Sequence, residues 1–171
     1  MIKKHVLLLF ILSIFSHLKA QVNLSVYAEV SIVTAGPGEE LYEAFGHSAI
    51  RIKDPVLNLD LIYNYGMFDF NQPNFLLNFA KGNMIYSLAR YDFKYFLANY
   101  RKDKRWVKQQ VLNLTQQEKQ AFFTFLEKNA TPENRNYLYN PYFDNCATKL
   151  RDITKSILGS KLVFNDNHIK K

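Results

Sequence analysis

Cys146 and His47 are the residues of this sequence best suited to nucleophilic chemistry. The cysteine is the only one in the chain. Of four histidines, His5 and His17 fall in the N-terminal segment and His168 in a polar tail, so His47 is the only one in the part expected to fold. A thiol attacks as its thiolate, and the positive end of a helix dipole favours that form. Cys146 follows Asp144-Asn145, either of which can begin a helix, and lies four residues before Leu150 on a face continued by Ile153 and Ile157. It is therefore expected in the first helical turn with its side chain inward. An imidazole is the usual base for such a thiol, because its ordinary pKa lies near neutral pH. Taken alone, each residue is explained as well by packing, a small core cysteine and a hydrogen-bonded strand histidine. Their joint setting favours chemistry.

A third group normally orients the base. Asn64 and Asp60 lie on the strand expected beside that of His47, on the same side as one another. Asn64, between Tyr63 and Tyr65, is the better candidate, since Asp60 is readily a solvated acid at a strand end. Arg51 shares the face of His47 by alternation and offers a guanidinium for a carboxylate or phosphate, although a surface ion pair also accounts for it. The amides of Cys146 and Ala147, unpaired at a helix start, could hold an oxyanion. One cysteine and one core histidine are too few for a metal site, and no cofactor is expected.

The elements that must position these groups can be read along the chain. Ser25 to Thr34 reads as a strand ended by Ala35-Gly36-Pro37-Gly38, and Glu39 to Phe45 as a short helix or turn. His47 to Ile52 and Asp60 to Gly66 read as a hairpin around Lys53-Asp54-Pro55. A short helix is expected over Phe75 to Ala80, a strand over Met84 to Tyr91, a helix over Phe93 to Tyr100 capped by Asp92, and a strand over Trp106 to Leu114. Thr115 and Glu118 make a capping box for a helix over Gln116 to Asn129. Tyr137 to Tyr139 is extended, the cysteine helix stops near Gly159, and the tail from Asn165 frays.

Lys3 and Lys4, the apolar run Val6 to Phe15 and a polar stretch ending at Ala20 make a secretory signal over residues 1–20. Cleavage after Ala20 is expected, with an uncleaved anchor as the alternative. No cysteine follows the apolar run, so the chain lacks the acceptor for its own lipidation. Removing Lys3, Lys4 and Lys19 from 22 basic residues leaves 19 against 15 acidic ones, a charge of +4. That surplus suits loose attraction to anionic lipid, and neither a dense basic run nor a motif points to nucleic acid. Residues 21–171 hold no linker or repeat and read as one exported domain. In an oxidising compartment a lone thiol is either buried and inert, or used.

Gly36 to Tyr42, Phe45 to Arg51, Tyr63 to Gly66, Asp144 to Thr148 and Arg151-Asp152, in that order, resemble the Lnb N-terminal periplasmic domain family over about Tyr27 to Ile157. The resemblance implies an α+β, circularly permuted papain-like fold of the NlpC/P60 and lecithin:retinol acyltransferase kind. In such a fold an antiparallel sheet packs on helices that include the one bearing cysteine, and histidine precedes cysteine, here by 99 residues. It implies a periplasmic acyltransferase that moves an acyl chain from a phospholipid through a Cys146 thioester to the N-terminal amine of a lipoprotein, with His47 and Cys146 at the catalytic positions. Family members commonly continue into a membrane-embedded part. This chain stops at Lys171, so the expectation is that it meets its membrane substrates by surface attraction or through a membrane partner protein. The alternatives are a cell-wall peptide amidase or peptidase with the same site, and a non-catalytic envelope module that binds lipid or protein through its aromatic residues.

Overall fold

The computed structural model describes residues 22–40, 43–69, 71, 73–74, 77–78 and 81–163. The expected signal segment and the tail from Asn165 lie outside the described residues. Of the helix expected over Phe75 to Ala80, only Leu77 and Asn78 are described, both helical.

Alternating apolar residues generate six strands: β1 (Glu29–Ala35), β2 (His47–Asp54), β3 (Leu59–Met67), β4 (Ile85–Asp92), β5 (Val107–Val111) and β6 (Asn136–Leu138). They form one antiparallel sheet in the order β5-β1-β2-β3-β4-β6. Three long helices among the described residues complete an α+β domain: α1 (Phe93–Lys102), α2 (Gln116–Asn129) and α3 (Cys146–Leu158), the last continued by a 3-10 turn over Gly159–Lys161. None of them is long and apolar enough to cross a membrane.

Successive strand side chains point to opposite faces, and both faces are covered. On one, Val30, Ile50, Ile52, Leu61, Tyr63, Tyr65 and Leu88 pack with Phe122, Phe123 and Leu126 of α2 and Leu150 and Ile153 of α3. On the other, Val33, Ala49 and Ile62 pack with Phe93 and Phe96 of α1. Burial of Leu150 and Ile153, each worth roughly 2 kcal/mol, fixes α3 against β2 and β3, and with it the cysteine at its first position.

The start of β1 differs from the reading by alternation, because Ser25 is diverted. Its amide and hydroxyl donate to the buried Asp54 carboxylate at 2.6 and 2.8 Å, so the strand begins only at Glu29. Asp92 does not cap α1; it stays in β4 opposite Leu61, and its carboxylate pairs with Lys94 at 3.1 Å. The Thr115–Glu118 capping box forms at α2, where the Thr115 hydroxyl accepts from the Glu118 amide and the Glu118 carboxylate from the Thr115 amide.

Candidate active site

β2 can open on His47 because Gly46 precedes it. Gly46 has φ of 73°, and a Cβ there would stand 2.6 Å from the Ala35 carbonyl oxygen, so the backbone itself bars a side chain. Gly46→Ala is expected to lower stability by about 2 kcal/mol, from left-handed strain and the displaced carbonyl. Urea unfolding checks this, and an unchanged midpoint would contradict the geometry.

His47 Nε2 and Asn64 Oδ1 lie 2.5 Å apart. The Asn64 amide is oriented from its other end, where Nδ2 donates to Tyr91 Oη at 3.0 Å and approaches Met67 Sδ at 3.3 Å. An amide oxygen only accepts, so Nε2 carries the proton and Nδ1 is left for the thiol. Beside this pair the β3–β4 register shifts between Asn64 and Met67. Gly66, at φ of 100°, lies in that irregularity, and the His47 ring lies over it, 3.6 Å from where a Cβ would stand.

Asn145, not Asp144, is the N-cap of α3: its side chain accepts from the Thr148 amide at 3.0 Å, and the Thr148 hydroxyl accepts from the Asn145 amide at 2.8 Å. Asp144 instead pairs with Lys149 at 2.7 Å. The cap takes the third amide of the helix and leaves those of Cys146 and Ala147 pointing out of it. Burial pushes the Cys146 thiol up, but a hydrogen bond to His47, the charge of that ring, and the amides of Ser48 and Ala147 outweigh it. The thiol is held below its ordinary range. His47 alternates onto the α1 face, with Phe96 6.4 Å from its ring, whereas α3 covers the opposite face. The two groups therefore meet at the end of the sheet.

Three tyrosines, Tyr100, Tyr137 and Tyr139, feel the charge of Cys146. Burial pushes the Tyr100 phenol up to about 12, the Arg105 charge opposes this, and Tyr91, Glu43 and Cys146 add to it. Tyr137 and Tyr139 are raised first by burial and next by Cys146. The buried hydroxyls of Tyr65 and Tyr137 meet no hydrogen-bond partner among the described residues, and their rings stand edge to face at 6.0 Å.

The structure thus brings together Cys146, His47, Asn64 and the Ala147 amide. Arg51 forms the ion pair that was the alternative to holding a substrate anion. Its Nε and Nη2 donate to Asp60 at 2.7 and 2.8 Å, its Nη1 to Gln109 at 2.6 Å, and its guanidinium covers the Phe93 ring at 3.9 Å. The same pair removes Asp60 from contention as the orienting acid. Sequence reasoning missed the Ser48 amide and Tyr91. Tyr91 had a recoverable signal: it pairs with Ile62 across β3–β4, which puts it on the face of Asn64, a diagonal neighbour.

No curated protein and no solved structure matches this chain. The family model for the Lnb N-terminal periplasmic domain matches residues 15–167, almost the whole sequence and every residue of the site just described. The chain belongs to the Lnb N-terminal periplasmic domain family.

Proposed function

We propose that this periplasmic domain is a thiol acyltransferase that carries an acyl chain from a phospholipid to the N-terminal amine of a lipoprotein. The observation that carries the reading is His47, held by Asn64 at 2.5 Å, at the sheet end beside the first turn of the cysteine helix, with a Cys146 thiol that the ring and the Ala147 amide hold below its ordinary range. The order His47, Asn64, Cys146 along the chain supports a circularly permuted papain-like arrangement.

The Cys146 thiolate attacks the ester carbonyl, and the oxygen that becomes negative is met by the amides of Cys146 and Ala147. His47, whose Nδ1 took the thiol proton as the thiolate formed, gives that proton to the departing glycerol oxygen, and an acyl-thioester and a lysophospholipid result. The lipoprotein amine then attacks the thioester, His47 takes its proton, and the amide forms as the thiolate leaves. Asn64 keeps the Nε2 proton and the ring orientation fixed throughout.

Intact-mass measurement after incubation with phospholipid tests the reading. An increment of one acyl chain on Cys146 is expected, discharged when a diacylated lipopeptide with a free amine is added, and absent in Cys146→Ser. A peptidase would leave Cys146 unmodified and shorten cell-wall peptides; a binding module would do neither, and Cys146→Ser would behave as wild type.

A further inference from the structure

We propose that the segment from Arg101 to Lys108, with Phe45 beside it, docks this domain on an anionic phospholipid bilayer so that the ester meets Cys146 at the interface. The inference rests on the acyl-transfer reading and goes beyond it by assigning the membrane-facing surface.

The segment reads Arg101-Lys102-Asp103-Lys104-Arg105-Trp106-Val107-Lys108 and leaves α1 to enter β5. Arg101, Lys102, Lys104 and Lys108 are exposed, and none is ion-paired among the described residues. Arg105 turns inward and anchors the turn: Nη1 meets Glu43 at 2.6 Å, Nε donates to the Gly36 carbonyl at 2.9 Å, and the guanidinium covers Tyr100 at 4.7 Å. Trp106 is half exposed at 50%, with Lys108 Nζ 5.0 Å from its ring.

This cationic turn abuts the catalytic end of the sheet. The Gly36 amide donates to the Trp106 carbonyl at 2.8 Å, and the indole lies so close over Gly36 that a Cβ there would stand 2.4 Å from Nε1. Gly36 in turn borders Gly46, which joins His47 to Phe45, and Phe45 is 99% exposed. On the cysteine side Tyr142 and Phe143, 81% and 79% exposed, project from a tip closed by the Asn140–Asp144 bridge. Aromatic tips on hydrogen-bonded turns around a thiol, next to unpaired cations, match the chemistry of a headgroup layer, where rings settle at the interface and cations meet phosphate. An acidic protein or a nucleic acid would use the cations but gives no reason for rings on both sides of the thiol.

Trp106 is the only tryptophan of the chain, so its emission reads this surface alone. With the full chain, emission is expected to move to the blue with phosphatidylcholine vesicles containing phosphatidylglycerol, to stay unmoved with phosphatidylcholine alone, and to return with added salt. Each lost charge should weaken the interaction about fivefold, so Arg101→Gln, Lys102→Gln, Lys104→Gln and Lys108→Gln combined should weaken it by about 600-fold. Phe45→Ser should weaken it without altering the salt dependence. The fourfold variant should form the Cys146 thioester from a water-soluble short-chain ester at the wild-type rate, and from vesicles far more slowly. Unmoved emission with anionic vesicles, wild-type acylation of the fourfold variant from vesicles, or an equal shift with polyglutamate or DNA would overturn the proposal. Failure of the acyl-transfer reading is separate: wild type would then form no thioester from the soluble ester, while the emission shift would remain.

Discussion

His47→Ala is expected to slow thioester formation on Cys146 by about 10³-fold and to move alkylation of the thiol to higher pH. The wild-type thiol is held low against its burial by the hydrogen bond and charge of His47, with the Ser48 and Ala147 amides adding less. Removing the ring leaves burial, which raises the pKa, opposed by the two amides alone. A depressed pKa means that the thiolate is present down to lower pH than in a free cysteine; in the variant it should appear only as pH rises further. The rate of iodoacetamide alkylation against pH, measured on folded protein, reads this directly. Identical profiles for wild type and variant would remove the basis for a Cys–His pair, whatever the substrate. Asn64→Ala should move the profile less, since that amide touches the ring and not the sulfur.

The parts of this site that were legible share a property: short-range rules set them. A cysteine just after Asp144-Asn145 must lie in a first helical turn, and a histidine after Gly46 must open a strand, wherever those elements end up. Asn64 could be preferred to Asp60 from its two tyrosine neighbours, because an amide between aromatic strand residues points to an interior. What the sequence left hidden depends on register and on distant neighbours. The ion pair of Arg51 was among its readings, but its bond to Gln109 at 2.6 Å depends on β5 lying beside β1. The Ser48 amide takes its meaning only from the docking of α3 against β2. The basic residues of the Arg101 to Lys108 turn are visible in the sequence, but only folding sets them against Gly36 and the catalytic end.

Fold class followed the same division. Alternation identified the strands that flank the site, but not the order β5-β1-β2-β3-β4-β6, since pairing β5 outside β1 joins segments more than seventy residues apart. The sheet end at His47 carries the reactive groups. The far end of β2, at Asp54, carries the N-terminal segment instead, and there one buried carboxylate accepts four hydrogen bonds.

Asp54→Ala is expected to cost about 3 kcal/mol of stability and, for a domain of this size, to lower the melting temperature by about 10 °C. The carboxylate is 0% exposed and accepts from the Ser25 amide, the Ser25 hydroxyl, and the Val56 and Leu57 amides at 2.6, 2.8, 2.9 and 3.2 Å. Removing it strands those donors and frees the segment that carries Leu24, itself tied to α2 through Gln116 and Gln120. Burial alone would raise this carboxyl, but the Ser25 amide and hydroxyl and the Leu57 and Val56 amides outweigh it and hold it below its ordinary value. The sign of the pH effect follows. Because the folded pKa is depressed, the stabilisation is fully present above the unfolded carboxylate value of about 4 and is lost as pH falls through the lower folded value. Wild type should therefore lose stability more steeply than Asp54→Asn as pH drops through the acid range, and the two should differ most near neutral pH. Urea unfolding at a series of pH values gives both curves, and parallel curves would mean that the Asp54 charge is not what holds the N-terminal segment to the sheet.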